Sequence, residues 1–306
     1  MNCIYLYNPN SGKSRYKNKQ DYIVKRLHEK FDVVDYFETK SKEDAMKIAK
    51  EACGYYDAII FSGGDGTVND IVNAIACEEK RPILGYLPSG TCNDFARSLS
   101  IPKKLDKALD VIINGEANAY DIFKANDRYG VYVCACGLFT SASYDTVQSK
   151  KRKLGKIAYY FHSFKEIFSC KASEFNVKLY MDGSGNEMQE FSGKSVLTLL
   201  INSKSVAGYK LNGGVDLHDG EMEFLAVSSK KQRLTFKSLM TICGTFLFGV
   251  KFAKKRKSVR YGKFKMCELE FTTNNPVLNI DGENGGVNNC ELIVLKDYLK
   301  VFTIKK

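Results

Sequence analysis

In 306 residues, 44% of them hydrophobic, there is room for two packed domains of ordinary globular make-up. Ten scattered cysteines with no C-x-x-C pair, and only three histidines, argue against a disulfide framework or a cysteine–histidine metal site, so reduced and mostly buried thiols are expected. The net charge of +11 is uneven: no acidic residue stands between Glu223 and Glu268, yet Lys230, Lys231, Arg233, Lys237, Lys251, Lys254, Lys255, Arg256, Lys257, Arg260, Lys263 and Lys265 all fall there, a patch that favours anionic lipid or nucleic acid.

The chain opens MNCIYLYNPN, without a basic stretch leading into an apolar signal core, which fits a reducing cytoplasm. Asn2 to Tyr7 reads as a strand. It is broken by Asn8-Pro9-Asn10-Ser11-Gly12-Lys13-Ser14 before a helix around Tyr22, Ile23 and Leu27. A P-loop would need glycine where Tyr7 stands, so Gly-Lys-Ser is not a Walker motif here, although Lys13 can still reach a phosphate. Phe31 to Phe37 reads as a second strand. Ser41 to Cys53 reads as a helix capped by Ser41, with Ala45, Ile48, Ala49 and Ala52 as its apolar face.

Ala58 to Phe61 is an apolar, β-branched run that meets Ser62-Gly63-Gly64-Asp65-Gly66-Thr67, and Val68, Ile71, Val72 and Ile75 follow at helical spacing. Strand, glycine loop and helix make a phosphate cradle, because glycine lets backbone N–H groups approach an anion at the positive end of a helix. Asp65 is out of keeping with such a cradle; a carboxylate there suits a metal ion or a proton leaving an attacking hydroxyl. A third strand-to-loop unit follows, Arg81 to Leu87 running into Pro88-Ser89-Gly90-Thr91-Cys92-Asn93-Asp94-Phe95-Ala96-Arg97. Arg97 suits either a phosphate or an ion pair with Asp94. Alternating strands and helices predict a parallel sheet covered on both faces, with ligands at the carboxyl ends of the strands.

After a helix through Leu105, Leu109 and Ile112, the pattern changes near Tyr120 to short runs separated by Gly, Asn and Asp: Gly130 to Gly137, Glu174 to Met181, Ser195 to Asn202, Met222 to Val227 and Glu268 to Thr272. These predict an antiparallel second domain. Two inserts interrupt it, LGKIAYYFHSFKEIF after Lys150-Lys151-Arg152-Lys153, and an apolar helix over Leu234 to Phe252 with basic flanks, which suits a membrane surface. Its core, Leu239 to Val250, is about a dozen residues, short of the roughly twenty that span a bilayer. Near the end, Asn279-Ile280-Asp281-Gly282-Glu283 reads as an Asp-Gly turn with Glu283 able to act as a base. Two apolar segments, Leu292 to Leu295 and Leu299 to Ile304, follow, the second closing the chain as a strand.

Five ordered motifs, NPNSGKS at Asn8 to Ser14, SGGDGTVND at Ser62 to Asp70, LPSGTCNDFAR at Leu87 to Arg97, LHDGEM at Leu217 to Met222 and IDGE at Ile280 to Glu283, cover nearly the whole chain. In them the sequence resembles the soluble bacterial diacylglycerol kinase family, the group that also includes eukaryotic sphingosine, ceramide and diacylglycerol kinase catalytic domains. The resemblance implies two domains: residues 1–120, an α/β domain similar to NAD kinase and phosphofructokinase, and residues 121–293, an antiparallel β-sandwich with helical inserts that takes the lipid. A last segment, about 294–306, would return to the first domain. It also implies ATP in the cleft, with Gly63, Gly64, Gly66 and Thr67 cradling phosphates beside Asn8, Ser11 and Lys13, and Thr91, Asn93, Asp94 and Arg97 lining the same cleft.

By the same resemblance, Asp65, Asp94 and Glu283 form an acidic set used with magnesium. A structural magnesium would sit at Asp219, with backbone carbonyls near Asp216 and Glu221, and His218 a bystander. The implied chemistry is attack of a lipid hydroxyl on the γ-phosphate of ATP, with Glu283 preferred as proton acceptor and Asp65 its rival. Diacylglycerol converted to phosphatidic acid at the cytoplasmic membrane face is the leading expectation. Another lipid alcohol (a sphingoid base, a monoacylglycerol or a polyprenol) or an NAD-kinase-like activity is the alternative. The expected partners are the lipid and an anionic membrane surface, without nucleic acid because no RNA-binding signature is recognisable; a homodimer stays open.

Overall fold

The computed structural model describes residues 1–9, 16–138, 171–182, 187–211, 214–274, 276–286 and 289–305. Ser11, Lys13 and the insert LGKIAYYFHSFKEIF with its basic leader lie outside the described residues.

Strands β1 (Asn2–Tyr7), β2 (Val33–Glu38), β3 (Ala58–Gly63) and β4 (Ile83–Pro88) run parallel in the order β2-β1-β3-β4. Every residue of β3 is buried, as its unbroken apolar run requires of a central parallel strand. Helix α1 (Gln20–Leu27) packs with α5 (Leu105–Asn114), and α2 (Lys42–Glu51) packs with α3 (Asp65–Ile75). The short α4 (Asp94–Ser98) follows β4. Ser41 caps α2 by accepting the Asp44 N–H at 3.2 Å, the bond its sequence position predicts. With parallel strands feeding helices, the loops after β1, β3 and β4 emerge at one edge of the sheet.

The second half is mostly β. Strands β5 (Glu116–Ala125), β6 (Arg128–Gly130), β7 (Val133–Gly137), β8 (Ser173–Tyr180), β9 (Met188–Ile201), β12 (Met222–Ser228), β13 (Val259–Phe264) and β14 (Met266–Phe271) pair antiparallel. They enclose a core of Phe123, Phe175, Phe224 and Phe264, in which Cys134, Cys136, Cys267 and Cys290 are buried as free thiols. Cys77 and Cys243, by contrast, are exposed. A small hairpin, β10 (Ser205–Val206) and β11 (Tyr209–Lys210), stands apart from the main sheet. A second hairpin, β15 (Asn279–Ile280) and β16 (Glu283–Asn284), borders β7.

Two elements differ from the sequence expectation. The last two apolar segments form one strand, β17 (Cys290–Thr303), with a bulge between Leu295 and Leu299. It pairs antiparallel with β5 and touches β4 in parallel at Val301 and Leu84. The strand absorbs the intervening Lys296-Asp297-Tyr298 as a bulge because Asp297 takes a φ of +49° and donates its N–H to the buried Asp121 carboxylate at 2.8 Å. The apolar helix is likewise two pieces, α6 (Phe236–Phe248) and α7 (Val250–Lys254). Gly249, at φ +80°, breaks it where a Cβ would stand 2.6 Å from the Leu211 carbonyl oxygen.

Candidate active site

The glycine loop forms because β3 ends at Gly63 and Gly64 caps α3 in extended conformation, which leaves Asp65, Gly66 and Thr67 in the first helical turn. Gly63 packs so close to Thr67 that a Cβ there would meet its Oγ1 at 2.3 Å. The loop after β4 lies directly on it. The Gly63 carbonyl accepts N–H groups from Ser89 (2.8 Å) and Gly90 (3.2 Å), and a Cβ on Gly90 would stand 2.5 Å from Gly64 Cα. Asn93, fully buried with a φ of +52°, ties the crossing together by donating to the Gly90 carbonyl at 2.9 Å and accepting from Tyr86 Oη at 3.2 Å. Asn8 joins Thr67, Thr39, Lys42 and Asp70 around a cavity of about 40 Å³ at the end of β1.

Asp65 Oδ1 accepts the Phe95 N–H at 3.1 Å, so it also braces the start of α4. Burial pushes its pKa above the ordinary carboxylate value, the Phe95 bond opposes this, and the neighbouring Asp94 adds to it. Asp94 is 2% exposed and faces the other domain: its Oδ1 accepts Ser205 Oγ at 2.5 Å and the Gly208 N–H at 2.8 Å, both from the β10–β11 hairpin. Arg97 turns its Nε to the Cys92 carbonyl at 2.9 Å, and no ion pair with Asp94 forms. Thr91 is exposed at the rim, its carbonyl accepting from Lys103 Nζ at 3.2 Å.

Glu283 reaches the same loop from the far end of the chain. Its Oε1 lies 3.5 Å from the position a Cβ would take on Gly66, and its Oε2 lies 3.9 Å from Lys42 Nζ. Lys42 in turn pairs with Asp70 Oδ1 at 2.6 Å, which opposes the burial that raises the Asp70 pKa. Of the predicted acidic set, then, Asp65 and Glu283 flank the glycine loop, while Asp94 clasps the second domain.

The predicted magnesium residues arrange differently. Asp219 Oδ2 and Glu221 Oε2 both face Lys263 Nζ, at 3.6 and 2.7 Å, and Asp216 Oδ1 accepts the His218 N–H at 3.1 Å. One lysine thus faces two carboxylates, and among the described residues no three His, Cys, Asp or Glu side chains form a metal-binding group. The expected ligand set, one Asp219 carboxylate with backbone carbonyls near Asp216 and Glu221, is not a side-chain cluster of that kind. The cleft differs: hard carboxylate oxygens beside a phosphate loop suit a magnesium ion carried mainly by nucleotide phosphates.

Sequence reading missed several cleft residues. Asp281 is completely buried and accepts N–H groups from Val131 (2.6 Å), Tyr132 and Val133 (3.0 Å each), and Nδ2 of Asn69 (3.1 Å). Burial outweighs those four bonds and pushes its pKa up to about 6. Asn69 carried a signal, being a polar side chain beside Val68 on the inward face of α3. Lys42 carried none; only the packing of α2 against α3 delivers it.

A family profile described as "Diacylglycerol kinase catalytic domain" matches residues 2–125. The chain is similar to the diacylglycerol kinase of Staphylococcus saprophyticus, 34% identical over 300 residues that cover 97% of this chain and 94% of that protein. It is similar to that of Staphylococcus aureus, 34% identical over 299 residues with 97% and 90% covered. The crystal structure of a diacylglycerol kinase from Bacillus anthracis superposes with a TM-score of 0.77 at 26% identity, covering 99% of this chain and 96% of that one. The alignments with these relatives span both halves of the chain, and the chain belongs to the bacterial diacylglycerol kinase family, as a lipid kinase.

Proposed function

We propose that this chain transfers the γ-phosphoryl group of ATP to the free hydroxyl of diacylglycerol, giving phosphatidic acid, with Glu283 taking the hydroxyl proton. The observation that carries this reading is the Glu283 carboxylate standing against Gly66, where the backbone N–H groups of an α3 terminus favour phosphate oxygens. Kinase membership carries the use of ATP and usually of a divalent metal; bound with the nucleotide, such an ion would neutralise phosphate charge, and Asp65 would hold it. Gly63, Gly64, Gly66 and Thr67 orient the phosphates, with Asn8 beside them. Asp94 holds the two domains at a fixed opening.

Expected on this reading, Glu283→Gln and Asp65→Asn each lower kcat by at least about 10³-fold, the scale of losing a base or a charge stabiliser. Labelled ATP offered with diacylglycerol, a panel of other lipid alcohols, NAD or no acceptor tests the assignment. Phosphate in an organic-soluble product supports it. Label on NAD, or full activity in a variant carrying both substitutions, overturns it.

The lipid would be met at an anionic membrane surface through α6. The inward face of that helix is Ser238, Thr241, Ile242, Gly244 and Thr245, while Phe236, Met240, Cys243 and Leu247 share the outward face. Phe236 is 78% exposed and Leu247 68%, the reverse of an ordinary amphipathic helix. Lys251, Lys255 and Lys257 beside it form no ion pair among the described residues, a charge pattern complementary to anionic headgroups. Among the described residues no helix is long and apolar enough to cross a membrane.

A further inference from the structure

A fully buried carboxylate is costly, and where only packing is needed an apolar side chain serves better. Asp281 therefore calls for a reason. Three of its hydrogen bonds, from the consecutive N–H groups of Val131, Tyr132 and Val133, fasten the β15–β16 turn to the corner between β6 and β7 within the second domain. The fourth crosses the domain seam. Asn69 Nδ2 reaches Asp281 Oδ2 at 3.1 Å from α3, three residues beyond Gly66. The turn itself is stiff, with Asp281 at φ +53° and Gly282 at +91°, both left-handed, so Glu283 leaves it in a fixed direction.

We propose that Asn69 and Asp281 are a positioning pair: their hydrogen bond across the seam sets the β15–β16 turn against the glycine loop and so places the Glu283 carboxylate over Gly66. This inference rests on the reading of Glu283 as proton acceptor. Asn69 is not needed to satisfy its neighbours. The Tyr129 carbonyl, which it also approaches at 3.4 Å, accepts a shorter bond of 2.9 Å from Asn73 Nδ2, and Asp281 keeps three donors without it. A shift of about 1 Å at a reacting group is enough to cost roughly 10²-fold in rate.

The test is a kinetic cycle on the full chain with ATP and diacylglycerol in phosphatidylglycerol vesicles. Asn69→Ala is expected to lower kcat by about 10- to 100-fold with KM for ATP changed less than about 3-fold. In a Glu283→Gln background, where residual turnover is read by single-turnover label transfer, Asn69→Ala is expected to cost little more, since the two act through one group. Should Asn69→Ala not fold, Asn69→Ser serves in each arm. Wild-type kcat in Asn69→Ala, or its full loss repeated on top of Glu283→Gln, overturns the positioning role. Wild-type kcat in Glu283→Gln alone overturns the proton-acceptor reading instead.

Discussion

The carboxylates of the seam differ in burial and in hydrogen-bond partners. Asp94 spends Oδ1 on two donors from the β10–β11 hairpin. Glu283, part-exposed, stands beside Lys42 and the glycine loop. Asp281 is wholly buried, with a pKa pushed up to about 6 from an ordinary 3.8. A carboxyl that binds its proton more tightly folded than unfolded favours folding when protonated, so its contribution falls as pH rises through the window from 3.8 to about 6 and is level above it. The change is about 3 kcal/mol. Chemical denaturation of wild type and Asp281→Asn across that window checks this: the wild-type advantage is expected to shrink with rising pH, and growth would contradict it. Residue roles were half legible in the sequence. Ser41 as a cap followed from local chemistry. The partners of Asp94 and Asp281 stand 111 or more, and 148 or more, positions away and were not.

Among the elements, the crossing of the loops after β3 and β4 is the tightest point of the cleft. Gly90 has no room for a methyl group, with Gly64 Cα at 2.5 Å and Asn93 Oδ1 at 2.7 Å from its Cβ position. Gly90→Ala is expected to destabilise by about 1–3 kcal/mol and to lower activity with it, because backbone must shift. Gly214→Ala, with nothing within 4 Å, serves as the neutral control in the same melting and turnover assays. Element existence was readable wherever period and caps agreed, as in β1, α2, β3 and α3. The closing strand was readable over Leu299 to Thr303 but not its start at Cys290, and the α6–α7 pair read as one helix. A bulge and a left-handed glycine are decided by distant acceptors, Asp121 and Leu211.

For the molecule as a whole, two long strands, β5 and β17, run through both halves, and the cleft lies where α3, the β15–β16 turn and the β10–β11 hairpin meet. Tyr209 of that hairpin packs edge-on against Phe246 of α6, with ring centroids 5.8 Å apart, which ties α6 to the hairpin. Sedimentation with phosphatidylglycerol vesicles is expected to weaken as salt rises from 0.1 to 1 M, as screening shortens from about 10 to about 3 Å. Phe236→Glu with Leu247→Glu is expected to reduce that binding at least about 10-fold. Equal binding of the wild type to neutral phosphatidylcholine vesicles would contradict the electrostatic part.

By itself the sequence determined the parallel α/β half, the antiparallel half, the glycine loop between strand and helix and the family, because these depend on period, turn chemistry and short ordered motifs that are local along the chain. Only the tertiary structure decided where each carboxylate stands and what it touches. It set Glu283 over Gly66, turned Asp94 to the second domain, buried Asp281 beside Asn69, and matched Asp219 and Glu221 with Lys263. The same kind of side chain is a buried acceptor, a clasp or half of an ion pair according to its burial and its partners. Those come from stretches of chain that meet only when the two halves pack.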